Sequence, residues 1–129
     1  MYLLDTNICI DFVDGRNDIA RDRFKEKWKT GLSISAITAG ELLVGPKESN
    51  DPEADRERVE RFLTVIGIRD FDSAAANAYA NLVKRAGMKR RSFDRLIAAH
   101  ALALGLVLVT NNEKHFADVP GLKVENWTV

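Results

Sequence analysis

Apolar positions along the chain come in two kinds of run. Residues 2–4 and 106–109 (LVLV) are short, continuous and bounded by polar or glycine positions, which predicts buried strands. Leu32-Ser33-Ile34 alternates like a third short strand, and 68–71 and 122–124 offer two more. Elsewhere the apolar residues recur every three or four positions. Phe24 and Trp28 lie four apart on one face of an amphipathic helix over 19–29. Ile37 to Val44 predicts a helix stopped by Gly45-Pro46. The polar stretch 47–57 predicts a loop leading into a helix, with Pro52 near its first turn, that runs through Val59, Phe62, Leu63 and Ile66 to Gly67. Asp72 or Ser73 caps an Ala-rich helix through Tyr79 and Leu82 to Gly87. Ser92 opens a further helix that ends at Leu104, with Gly105 as its stop. The segment 6–13 carries Ile8, Ile10, Phe12 and Val13 and ends at Asp14-Gly15.

Short, mostly continuous apolar strands separated by helices indicate an α/β domain with a central, mostly parallel sheet. At 129 residues, with no repeat, low-complexity tract or internal linker, the chain reads as one domain over 1–129. Composition adds little: 19 basic residues balance 19 acidic ones, so overall charge names no partner and local clusters must be read instead. The single cysteine, Cys9, excludes an internal disulfide and a cysteine-rich zinc site. No signal-peptide pattern and no run of membrane-spanning length is present, so the expectation is a cytoplasmic protein with no membrane partner.

Three carboxylates stand where an apolar residue would be ordinary. Asp5 follows the first strand, and in parallel sheets ligands gather beyond the carboxyl ends of the strands. Taken alone, Asp5-Thr6-Asn7 is equally a turn and a helix cap. Glu41 shares a helical stripe with Ile37 and Val44, the face expected to meet the sheet. There it needs a cation, a donor or a proton, unless it sits at the stripe's edge and snorkels or pairs with an arginine. Asp94 occupies the first turn of its helix, where the helix dipole favours a carboxylate, yet it shares a stripe with Ile97, Ala98 and Ala101. Such a trio suits a hard divalent cation, Mg²⁺ or Mn²⁺, which prefers oxygen ligands and can activate water and stabilise charge developing at phosphorus.

The ordered motifs LLDTNI, SAITAGELLVG, SFDRLIAAHALALGLVLVTNN and HFADVPGLKVENW span nearly the whole chain. Together they resemble the PIN-domain ribonucleases, and more closely the VapC toxins of bacterial toxin–antitoxin pairs. The resemblance implies a three-layer α/β/α domain and a Mg²⁺-dependent endoribonuclease, Mn²⁺ being able to substitute, in which a metal-activated water cuts RNA, commonly a tRNA. It makes Asp5, Glu41 and Asp94 the catalytic, metal-holding acids. It also makes Thr110 the hydroxyl residue supporting the first aspartate, and Asn7 the asparagine beside the site. Many relatives carry a fourth acid after the penultimate strand, where this chain has Asn111, Asn112, Glu113 and His115. Two ways of filling that place stay open: Glu113 supplying the charge, or an asparagine holding a water. The resemblance further implies a cognate VapB-like antitoxin and a homodimer.

Lys84, Arg85, Lys89, Arg90, Arg91 and Arg95 cluster around Asp94 in sequence. A charge run is usually a solvated face. Beside a metal site, however, Lys89, Arg90, Arg91 and Arg95 are candidates for positioning RNA through its phosphates. His100, mid-helix among alanines, and Cys9, in an apolar run, read as packed core residues. Trp28, Tyr79 and Trp127 are expected to pack rather than stack on bases, although the Phe24/Trp28 helix could offer an antitoxin a groove. Two other readings remain: a PIN-like binding module without catalysis, and a receiver-like phosphoacceptor domain. The receiver reading is disfavoured by the lone acid after the first strand and by Ser33-Ile34-Ser35 ending the second.

Overall fold

The computed structural model describes residues 1–45, 50–86 and 92–129. Five strands, β1 (Tyr2–Leu4), β2 (Leu32–Ser35), β3 (Gly67–Arg69), β4 (Val107–Thr110) and β5 (Val124–Asn126), form one sheet in the order β3-β2-β1-β4-β5. Every pairing is parallel, with Leu4 level with Ile34 on one side and Val109 on the other. The helices are α1 (Thr6–Val13), α2 (Asp18–Lys27), α3 (Ala36–Val44), α4 (Pro52–Val65), α5 (Ser73–Ala86) and α6 (Phe93–Leu104).

Strand pleat divides the core into two layers. Leu4, Ile34 and Val109 face one way, onto Ile8, Phe24, Leu42, Val59 and Phe62 of α1 to α4. Leu3 and Leu108 face the other way, onto Leu82 of α5 and Ile97, Ala98 and Ala101 of α6. Because the sheet is covered on both faces at its centre, β1 and β4 read as continuous apolar runs, while β2 buries its serines as well as Leu32 and Ile34. This is the expected three-layer α/β/α arrangement.

Local chemistry sets the helix starts. Asp5, Asn17, Asp51 and Asp72 each cap a helix by accepting a backbone N–H three residues on, from Ile8, Ala20, Ala54 and Ala75. Ser35 caps α3 through Ile37 N–H. Asp51 followed by Pro52 starts α4, with the proline in the first turn as expected, because a side-chain cap and a proline at the first helical position both favour a helix start. Gly105, with φ of 67°, ends α6 in the left-handed conformation.

Three expected boundaries move. The helix over 19–29 ends at Lys27 and tightens into a 3₁₀ turn over Trp28–Thr30, which leaves Trp28 41% exposed rather than packed. The third strand stops at Arg69, because Phe71 turns its ring edge-on to His100 and Asp72 is taken up as the α5 cap. The last strand is 124–126 rather than 122–124. Gly121 (φ 77°) and the Leu122 N–H to Val119 carbonyl bond hold the chain in a turn until it lies beside β4. The predicted helix end at Gly87 lies outside the described residues.

Cys9 and His100 are buried, as expected. So is Trp127, whose ring meets Phe24 and Tyr2 edge-on at 5.7 and 5.2 Å. Trp127→Ala should therefore cost about 3–5 kcal/mol in urea denaturation, whereas Trp28→Ala should cost less than about 1 kcal/mol. Equal losses would contradict this placement.

Candidate active site

In an open parallel sheet the crevice for a ligand opens where the strand order reverses. Successive strands step from β1 to β2 to β3 on one side, and β4 then returns to the other side of β1. The reversal lies between β1 and β4, whose carboxyl ends carry Asp5 and Thr110. This order also differs from the 2-1-3-4-5 order of receiver-like domains, so that reading is set aside.

Asp5 is 2% exposed. Its Oδ1 accepts Ile8 N–H at 2.8 Å and its Oδ2 accepts the Thr110 hydroxyl at 2.5 Å, so the helix cap and the tie to β4 are made by one carboxylate. Burial raises its pKa to about 6 against these two hydrogen bonds, and the charges of Asp94 and Asp11 add to the rise.

Glu41 sits beside the next residue of the chain. The Thr6 hydroxyl donates to Glu41 Oε1 at 2.7 Å and lies 3.1 Å from the Thr38 hydroxyl. The stripe assigned to Glu41 needs correction. The buried seam of α3 is Thr38, Ala39 and Leu42, while Val44 is 81% exposed. Glu41 lies at the seam's edge, half-buried, and its partner is a hydroxyl rather than an arginine.

Asp94 is also half-buried, in the first turn of α6, and its neighbours Ile97, Ala98 and Ala101 are buried as expected. Its Oδ2 lies 3.2 Å from His115 Nδ1. Ser92 stands at the N-cap without a side-chain capping hydrogen bond. Asn7 is exposed on the first turn of α1 and borders the groove that Thr6, Ile10, Glu41 and Leu42 also line.

After β4 the candidates separate. Asn112 donates its backbone N–H to Thr110 Oγ1 and its amide to His115 Nε2, and so lies near the site. Glu113 instead accepts from Asn126 of β5. Two further residues enter: Asp11, which the sequence did not single out, and His115, named there without a role. Asp11 accepts from Asn111 Nδ2 at 2.7 Å and adds to the charge felt by Asp5, and His115 meets Asp94. Asp11 follows Asn7 by one helical turn, and His115 follows Asn112 by three residues. Those spacings were the available signals.

Of the basic cluster, Lys89, Arg90 and Arg91 lie outside the described residues, and Lys84 and Arg85 are exposed. Arg95 is committed to a forked pair with Asp118, at 2.8 and 3.0 Å, and holds that carboxyl below its ordinary range. Among the described residues, no three His, Cys, Asp or Glu side chains are drawn tightly enough together to enclose an ion by themselves. No described helix is long and apolar enough to cross a membrane.

The PIN-domain family model matches residues 2–122. The tRNA(fMet)-specific endonuclease VapC of Shigella flexneri is 36% identical over 130 residues, covering 98% of each chain. Among solved structures, the DNA-bound VapBC of Salmonella typhimurium superposes with a TM-score of 0.87 at 35% identity, over 98% of this chain and 97% of that one. VapBC2 of Rickettsia felis, bound to a promoter DNA fragment, gives 0.86 at 33% identity over 98% of both chains. Family model, whole-length identity and superposed fold agree, and the chain belongs to the PIN-domain family, among its VapC ribonucleases.

Proposed function

We propose that the protein is a divalent-cation-dependent endoribonuclease, folded as a single domain over 1–129, that acts as the toxin of a type II toxin–antitoxin pair. The observation that carries this reading is Asp5. It is a carboxylate at the sheet's switch point, almost completely buried, and raised to about 6 by burial and by the neighbouring charges of Asp94 and Asp11. A cation reverses both causes, because it supplies the charge that desolvation removed and screens the acids from one another. The donor set of Asp5, Glu41 and Asp94 is entirely carboxylate oxygen, which suits Mg²⁺, with Mn²⁺ as a substitute. Bound there, such an ion supplies an activated water for attack at phosphorus and stabilises the charge on the leaving oxygen.

The chain's own residues keep the carboxylates in place. Ile8 N–H and Thr110 hold both oxygens of Asp5, Thr6 holds Glu41, and His115 meets Asp94. Preset orientation lowers the cost of gathering an ion and a phosphodiester in one geometry. For the substrate, Lys89, Arg90 and Arg91 are candidate phosphate contacts, whereas Arg95 is held by Asp118. The Shigella relative is named for its action on tRNA(fMet), which supports a tRNA as the RNA cut here. The VapBC structures support a VapB-like antitoxin as the partner. A groove between α1, α3 and α4, with Ile10, Leu42 and Val59 as its floor and Glu41 at its rim, offers such a segment a seat next to the site.

Asp5→Asn should reduce RNA cleavage by more than about 100-fold while leaving the circular dichroism spectrum unchanged. Excess EDTA should do the same to the wild-type protein. Undiminished cleavage in either case would overturn the mechanism.

Stability should carry the same signature. The folded pKa of Asp5, about 6, lies above its ordinary 3.8, so the folded state binds the extra proton between these values. The stabilisation from protonated Asp5 is complete below about pH 3.8 and is lost as pH rises through about 6. Without metal at pH 7, Asp5→Asn should be more stable than wild type by up to roughly 3 kcal/mol, and the gain should vanish near pH 4. Adding Mn²⁺ should close the gap by stabilising only the wild type. Urea melts at both pH values, with and without metal, measure all three effects.

A further inference from the structure

The segment leaving β4 ties each of its first three residues toward a different carboxylate. Thr110 Oγ1 donates to Asp5 Oδ2 at 2.5 Å and accepts the Asn112 backbone N–H at 3.0 Å. Asn111 Nδ2 donates to Asp11 Oδ2 at 2.7 Å. Asn112 Nδ2 stands 3.0 Å from His115 Nε2, and His115 Nδ1 stands 3.2 Å from Asp94 Oδ2. The path from Asp94 to Asp5 is therefore continuous through His115, Asn112 and Thr110.

The directions of these bonds are mutually consistent. An amide NH₂ only donates, so His115 Nε2 must accept from Asn112. A neutral imidazole carries one N–H, so the proton sits on Nδ1 and is aimed at Asp94 Oδ2, which accepts it. In that state Nδ1 has no lone pair to give a metal. In that arrangement His115 orients Asp94 through its Nδ1–H. The segment's own carboxylate, Glu113, accepts from Asn126 at 3.2 Å and is exposed.

We propose that 110–115 is a hydrogen-bonded strap that fixes Asp94 relative to Asp5, with His115 as the positioning residue for Asp94. The inference rests on the cation-dependent reading above. Asp94 needs such a partner: its side chain is 36% exposed, whereas Asp5 is locked by burial. A donor on one of its oxygens selects one rotamer and leaves the other oxygen for the ion, as outer partners of metal-holding side chains do.

Calorimetric titration of Mn²⁺ into wild type and variants tests this without any cleavage assay. His115→Ala should weaken Mn²⁺ binding about 10- to 100-fold with the melting temperature unchanged. His115→Asn, whose amide nitrogen can stand where Nδ1 stood, should recover most of that loss. Asn112→Ala should weaken binding less, and the double variant Asn112→Ala/His115→Ala should be no weaker than His115→Ala alone, because both belong to one chain of bonds. The strap is overturned if His115→Ala binds like wild type, if His115→Asn is as weak as His115→Ala, or if the two losses add. A wild-type protein that takes up no Mn²⁺ overturns the nuclease reading and the strap together. Normal wild-type binding with an indifferent His115 overturns the strap alone.

Discussion

A carboxylate buried at the carboxyl end of the central strand is the constraint around which the molecule is arranged. Asp5 caps α1 through Ile8 N–H, joins β1 to the end of β4 through the Thr110 hydroxyl, and keeps a charge where the surrounding packing disfavours one. Isolating a carboxylate in this way is costly unless donors or a cation answer it. Two donors are built in, yet the pKa still stands at about 6, so they offset burial only in part. The remaining deficit is the cost of keeping a charged carboxylate at this position, and it is the basis of the proposed cation site.

The rest of the fold brings other acids to that point. β1 lies in mid-sheet, between β2 and β4, so the elements following all three strands open onto the same end. α3 begins directly after β2 and carries Thr38 and Glu41 to the Thr6 hydroxyl. α6 approaches from the opposite face and presents Asp94. The two helices are also joined through the core: His100 of α6 bonds Ser35, the cap of α3, at 2.8 Å, with both side chains buried. Burial holds the His100 pKa below its ordinary value, against the opposing pull of a backbone hydrogen bond at Asp70 and the charges of Asp72 and Asp70. That contact links the two acid-bearing helices behind the site.

Much of this was legible from local patterns. The buried strands at 2–4 and 106–109, the caps Asp5 and Asp72, and the Gly105 stop depend on neighbouring residues, and all stand within a residue or so of their expected places. Where expectation failed, a distant contact had intervened. Phe71 left the strand for His100, and β5 waited for a turn to bring the chain beside β4. Val44, expected on the buried stripe of α3, is exposed, and Glu41 takes the edge position that had been left open for it, because a stripe read from spacing alone cannot say which flank meets the sheet.

By itself the sequence determined the class of fold and the burial of the single cysteine, and it singled out the three acids and Thr110 as candidates, because each of these is written in runs, spacings and ordered motifs along the chain. Only the tertiary structure decided how those acids are held. It turned Glu113 toward Asn126, committed Arg95 to Asp118, joined His115 to Asp94, and brought in Asp11, which no motif had singled out. The reason is physical. A cap or a strand is settled by residues a few positions apart, whereas Asp5 and Thr110 meet across 105 positions, and such a pairing exists only once the whole sheet has formed.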